Sequence, residues 1–237
     1  MRQLALRKKN KTNSKDSSRK LVTMIDPKSP ISEQYRTIRT NIQYSAVDGD
    51  MKTIMVTSSG PAEGKSTTAA NLAVAFSQLG KKVLLVDADL RKPTVHHTFR
   101  KNNINGFTTV LTKQSTLEKT VLDTLEDDLF ILTSGPIPPN PAELLSSKSM
   151  EQFMIEAKEI FDYIIFDTPP LLAVADAHIL ANQCDGSILV VYSEKTEIAQ
   201  AKKSKELLGS AQSKLLGVVL NHKEVQKGEY YYYYGAK

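Results

Sequence analysis

Ser59-Gly60-Pro61-Ala62-Glu63-Gly64-Lys65-Ser66 follows the strand-like run Thr53-Ile54-Met55-Val56-Thr57 and opens an Ala- and Leu-rich stretch, Ser66 to Leu79, with Gly80 beyond its end. Against the phosphate-binding pattern G-x-x-x-x-G-K-[ST], seven of the eight places are compatible, and Ser59 stands for the first glycine. The required places have physical reasons. Gly64 lets the backbone curl close to a phosphate, and successive N–H groups with a helix N-terminus aim partial positive charge at it. Lys65 reaches the β- and γ-phosphates, and the Ser66 hydroxyl suits Mg²⁺. A bare Gly-Lys-Ser also fits an ordinary turn and helix cap. The strand before it and the helix after it favour the phosphate loop.

Outward from the loop, strand-like and helix-like segments alternate. Ser32 can cap a helix from about Glu33 to Val47, which Asp48-Gly49-Asp50 stops. The runs Lys82–Val86, Leu129–Leu132, Tyr163–Phe166, Ser187–Tyr192 and Leu215–Leu220 are short and apolar, as strands buried on both faces are. Helical patterns at about Met150–Ile160 and Thr196–Leu208 separate some of them. The alternation predicts an α/β fold: a doubly wound, mostly parallel sheet with right-handed crossovers and helices on both faces.

Two of these strands end in carboxylates. Val83-Leu84-Leu85-Val86-Asp87-Ala88-Asp89-Leu90-Arg91 places two acids and an arginine just past a strand, and Ile164-Ile165-Phe166-Asp167-Thr168-Pro169-Pro170 places one acid there. Ligands bind at this carboxyl edge in open α/β sheets. Such acids also cap turns, but three of them beside a phosphate loop repel one another unless a cation intervenes, and Mg²⁺ meets that need.

The composition closes off other classes. With 237 residues, 41% of them hydrophobic, the chain can bury one sizeable core and not comfortably two. Cys184 is its one cysteine, so no disulfide forms within the chain, and no Cys/His cluster at zinc spacing occurs. No apolar stretch approaches the roughly 18 residues of a membrane helix, and no apolar segment of signal-peptide type follows the basic start, so a cytoplasmic protein is expected. The net charge of +5 is unevenly placed. Nine of the 31 Lys and Arg and two of the 26 Asp and Glu lie in residues 1–28, giving +7, and residues 29–237 carry 22 basic against 24 acidic side chains. The division expected is a disordered basic arm (1–27), a P-loop domain (28–222) and a flexible tyrosine-rich tail (223–237). The arm is either a solubilising tail or a segment drawn to anionic lipid or an acidic partner. With no basic face or stacking platform beyond it, no nucleic-acid partner is expected.

The phosphate loop, the motifs at Val83–Arg91 and Ile164–Pro170, and Ser134-Gly135-Pro136-Ile137-Pro138-Pro139-Asn140-Pro141-Ala142-Glu143-Leu144-Leu145 together resemble the cytoplasmic bacterial tyrosine kinases of capsular and exopolysaccharide synthesis. The resemblance spans about residues 28 to 234. It implies an ATP- and Mg²⁺-dependent kinase that phosphorylates its own C-terminal tyrosines in trans, and other proteins besides. Carried over by position, it implies nucleotide binding by Gly60, Pro61, Ala62, Glu63, Gly64, Lys65, Ser66 and Thr67. It further implies chemistry at Lys65, Asp87, Asp89 and Asp167, and Mg²⁺ at Ser66, Asp89 and Asp167. Asp87 is the first choice for orienting or deprotonating the phenol. A separate transmembrane activator that brings the kinase to the membrane is implied as well. Ser59 and Ala62 depart from the family's loop.

Two alternatives belong to other classes: a ParA/MinD-type positioning ATPase, and a nucleotide-gated interaction module without transfer chemistry. The ATPases carry an added lysine directly after the first glycine position, where this chain has Gly60. Asn221, after the last strand, either contacts adenine, as in related ATPases, or closes the strand as a turn former. Glu33, Arg36 and Arg39 form one helical stripe, which by itself reads as a solvated face with an internal Glu–Arg pair. The resemblance instead makes it a subunit contact in a homo-oligomeric ring. His96 and His97 have no carboxylate or His partner at ligand spacing and read as structural or loop residues. Tyr230, Tyr231, Tyr232, Tyr233 and Tyr234 suit neither a strand, which buries alternate residues, nor a helix, so they read as an unfolded tail and, by resemblance, as phosphorylation sites.

Overall fold

The computed structural model describes residues 21–45 and 51–224. Most of the basic arm, the expected helix end at Val47 and the five tail tyrosines lie outside them. Seven strands form one sheet: β1 (Thr53–Ser58), β2 (Val83–Asp87), β3 (Leu122–Asp123), β4 (Leu129–Leu132), β5 (Tyr163–Asp167), β6 (Gly186–Tyr192) and β7 (Lys214–Asn221). Their order is β3-β4-β2-β5-β1-β6-β7, parallel throughout except for the β3–β4 pair. The two-residue β3 is too short to show periodicity in sequence.

The central strands β1 and β2 are buried at every position, as their unbroken apolar runs predict. Alternate residues enter two cores. Ile54, Val56, Leu85 and Ile165 pack with α3 (Lys65–Ser77), over which α2 (Pro30–Ser45) and the short α1 (Val22–Ile25) lie. Met55, Leu84, Val86 and Phe166 face α5 (Phe107–Leu111), α8 (Lys148–Ile160) and α9 (Asp176–Ala181). α3 is buried at every position but Thr67, which explains an apolar stretch with little polar face. Thr23 secures α1 to it, its N–H and hydroxyl both donating to Asn71 Oδ1 at 3.0 and 2.9 Å.

Three expectations change. α2 starts at Pro30, so the capping hydroxyl belongs to Ser29, which accepts the Ser32 N–H at 3.2 Å. Ser32 lies inside the helix and donates to Asp26 O at 2.7 Å. β7 is the sheet's edge rather than a strand buried on both faces: Val218 and Leu220 are 53% and 52% exposed. Thr196 precedes α10 (Ile198–Gly209) instead of starting it. Four further short helices, α4 (Val95–Phe99), α6 (Leu117–Thr120), α7 (Pro141–Leu145) and α9, join α5 among the connections, each too brief for a helical period to be visible. Among the described residues no helix is long and apolar enough to cross a membrane.

Candidate active site

The carboxyl ends of β2, β5 and β1 lie side by side, so the strand order brings three distant sequence motifs to one edge. Asp87 pairs in register with Asp167, and Asp167 with Val56. Thr168 fastens the β5 end to β1, its hydroxyl donating to Val56 O at 3.1 Å.

Over these ends runs the phosphate loop. Gly64 has φ +98°, in the left-handed region that glycine adopts freely, and α3 begins at the next residue. A Cβ at Gly64 would fall 1.9 Å from Asn221 Nδ2, so any larger residue there would also push the Asn221 amide from its place. Asn221 sits at the end of β7, and its amide donates to Glu63 O at 2.9 Å, clipping the loop. Ala62 also has positive φ, +61°, where a side chain costs about 1–2 kcal/mol. Gly60, Pro61 and Ala62 face outward to varying degrees, whereas Glu63, Lys65 and Ser66 are buried and Thr67 is half-buried.

Lys65 Nζ lies 3.0 Å from Asp89 Oδ2, 3.3 Å from Asp167 Oδ1 and 3.2 Å from Ser66 Oγ. Burial works against its charge, but the carboxylates of Asp167, Asp89 and Asp87 outweigh that and raise its pKa above the ordinary lysine value. The cation that steadies the acidic edge is therefore, in the first place, the loop's own lysine. Asp87 is fully buried. Its Oδ2 accepts the N–H groups of Thr94 and Val95, at the start of α4, each at 2.8 Å. Burial, and after it the charge of Asp167, push the Asp87 carboxyl up to about 7 against those two hydrogen bonds and Lys65.

Asp87 Oδ1 and Asp167 Oδ2 are both buried without a hydrogen-bond partner. The unpaired Asp167 oxygen, on a carboxylate that shares Lys65 Nζ with the buried Ser66 hydroxyl, fits a hard divalent cation. Among the described residues no three His, Cys, Asp or Glu side chains converge into a metal cage. The donor set thus fits Mg²⁺ held by one or two carboxylates together with phosphate oxygens.

Three partnerships are invisible in sequence. Arg91, from the second motif, makes a bidentate pair with the buried Asp176 at 2.8 and 3.0 Å, joining the connection after β2 to the start of α9. Ser59 and Glu63 have hydroxyl partners, Ser204 and Thr196. Away from the edge, Glu33 and Arg36 form the internal pair that their spacing predicts, while Arg39 does not stand in solvent: its guanidinium donates to Ala75 O at 2.6 Å. His96 and His97 lie on α4 with ring centroids 3.8 Å apart.

A model of the AAA domain family matches residues 51–207. The tyrosine-protein kinase YwqD of Bacillus subtilis (strain 168) is 59% identical over 219 residues, 92% of each chain. The chain belongs to the bacterial tyrosine-protein kinases of the capsule-synthesis family. The kinase domain of the Escherichia coli tyrosine kinase ETK superposes on this kinase with a TM-score of 0.83 at 29% identity, covering 88% of this chain and 82% of that one. The septum site-determining protein MinD of Pyrococcus horikoshii, at a TM-score of 0.62 and 22% identity, shares the fold alone. The kinase is thus an enzyme on a P-loop nucleotide-binding fold that it shares with positioning ATPases.

Proposed function

We propose that this kinase transfers the γ-phosphoryl group of ATP, with Mg²⁺, to the tail tyrosines Tyr230 to Tyr234 of another copy, and to further proteins of capsular and exopolysaccharide synthesis. The observation that carries the reading is the buried Lys65 ammonium, set at the start of α3 between Asp89 and Asp167. The phosphate loop binds and orients the polyphosphate, and Lys65 shifts from its carboxylates toward the β- and γ-phosphates. A tyrosine oxygen attacks the γ-phosphorus in line, the bond from that phosphorus to the bridging oxygen breaks, and ADP departs. The phenol, with an ordinary pKa of about 10, gives up its proton to a carboxylate. Asp87 is the first choice, because its raised pKa suits a base near neutral pH. Mg²⁺, when bound by Ser66, Asp89 and Asp167, supplies charge neutralisation at the phosphates.

The same reading gives the kinase a homo-oligomeric ring through Glu33, Arg36 and Arg39, and a separate transmembrane activator that holds it at the cytoplasmic side of the membrane. Transfer in trans is tested by mixing two inactive halves: Lys65→Met, with an intact tail, and a wild-type site on a chain ending at Gly228. With Mg-ATP, phosphotyrosine should appear on the Lys65→Met tail only in the mixture. A mixture without phosphotyrosine, beside a wild type that modifies itself, would mean transfer within one chain.

A further inference from the structure

The phosphate loop is held from one side by two hydroxyl groups that belong to the far end of the chain. Ser204, fully buried on α10, donates to the Ser59 hydroxyl at 2.9 Å. Thr196, in the turn before α10, accepts the Tyr192 N–H at 2.7 Å and donates its own proton to Glu63 Oε1 at 2.7 Å. A carboxylate oxygen accepts, so Thr196 is the donor of the second bond. Glu63 is 3% exposed, and its Oε2 is buried without a partner, so Thr196 bears much of the task of holding that side chain.

Ser59 and Glu63 bracket the turn of the loop. Between and beside them stand two residues in the left-handed region, Ala62 at +61° and Gly64 at +98°. A turn that includes such an alanine is not its own most stable conformation, so it persists because its flanks are held. Glu63 also curls back over the loop's start, since a Cβ on Gly60 would lie 3.4 Å from Glu63 Oε1.

We propose that Ser204 and Thr196 are positioning residues, which hold the phosphate loop through Ser59 and Glu63 in the shape that receives a nucleotide's polyphosphate. The proposal rests on reading that loop as the nucleotide site. It accounts for the departure of Ser59 from the usual pattern: Ser59 has no positive φ, so its backbone makes no demand for glycine, and its hydroxyl supplies the anchor that glycine lacks.

The test is a titration of the purified full chain with a fluorescent ATP analogue and Mg²⁺, beside steady-state kinetics and melting of the nucleotide-free protein. Thr196→Val and Ser204→Ala should each raise Kd about 3–10-fold, the effect of one preorganising hydrogen bond. Thr196→Ser, which keeps the hydroxyl, should stay within about twofold of the wild type. KM for ATP should rise more than kcat falls. Ser59→Gly, although it restores the commoner residue, should weaken binding as Ser204→Ala does, and the double variant should lose no more than either alone. It also removes the same bond if Ser204→Ala does not fold. Unchanged Kd in Thr196→Val and Ser59→Gly, with lowered melting temperature, would reduce the bonds to general stability and overturn the proposal. A wild type that binds no nucleotide would overturn the reading of the site itself.

Discussion

One ammonium faces three carboxylates at the centre of the site. Lys65 touches Asp89 and Asp167, while Asp87 stands behind them with one oxygen held by two N–H groups and the other unpaired. Asp87→Asn therefore separates stability from function. Its amide oxygen can still accept the Thr94 and Val95 N–H groups, and its NH₂ gives the unpaired side a donor beside Asp167. Without Mg²⁺ or nucleotide the variant should be more stable by about 1–3 kcal/mol, visible as a rise of roughly 2–10 °C in Tm. Its phosphotyrosine formation should fall at least about 100-fold, the usual contribution of a lost general base. Full activity in Asp87→Asn would remove Asp87 from the chemistry. At this scale the sequence shows residue types at strand ends but not their partners. Lys65, Asp87 and Asp167 are legible because chain topology alone brings strand ends together. The Ser59–Ser204, Glu63–Thr196 and Arg91–Asp176 pairs join residues 145, 133 and 85 positions apart, and no local pattern marks a serine or threonine as an anchor.

Among the elements, the opposite end of the sheet is fixed by a carboxylate with no part in the chemistry. Asp185, just before β6, accepts the N–H groups of Lys52 and Thr53 at 3.0 and 2.8 Å, the Thr53 hydroxyl at 2.8 Å, and Lys158 of α8 at 3.0 Å. Partial burial works to raise its pKa. The Thr53 hydrogen bonds and Lys158 outweigh that and hold it below the ordinary carboxylate value. Its stabilisation is therefore fully present above the unfolded-state pKa near 4 and is lost as pH falls through the folded value. At pH 6, Asp185→Asn should melt below the wild type, and the gap should narrow on descending to pH 3. A gap independent of pH would mean that the charge contributes nothing. The strands were readable because burial on both faces leaves continuous apolar runs, as in β1 and β2. The edge strand β7 has the same composition but a single neighbour, β6, and composition does not reveal position in the sheet. The start of α2 shifted by three residues because Ser29 and Ser32 are both competent caps, and Pro30, suited to a first helical turn, decides between them.

For the molecule as a whole, the proposed ring must compete with contacts the single chain already makes. Arg36 pairs with Glu33 and donates to Pro27 O at 2.7 Å, and Arg39 reaches Ala75 O. Assembly would exchange some of these contacts for contacts with a neighbour. Replacing both arginines by Ala should give a smaller species in sedimentation or light scattering while leaving the sheet folded. A wild type that is monomeric at every concentration, with and without the proposed membrane activator, would leave the stripe as a local ion pair. Phosphorylation should then act on assembly. Each phosphotyrosine adds about −1.5 to −2 charges, so five adjacent ones bring strong repulsion from one another and from the acidic edge of the site.

The central claim is phosphoryl transfer to the tail. The purified kinase, with a segment of the proposed membrane activator present, should be incubated with Mg-ATP while ATP consumption and phosphate on each tail residue are followed together by mass spectrometry. The account predicts phosphotyrosine accumulating within Tyr230 to Tyr234, matched by ADP formed, and absent from both Lys65→Met and the chain ending at Gly228. Sustained ATP hydrolysis with no phosphotyrosine on any of the five residues would contradict it.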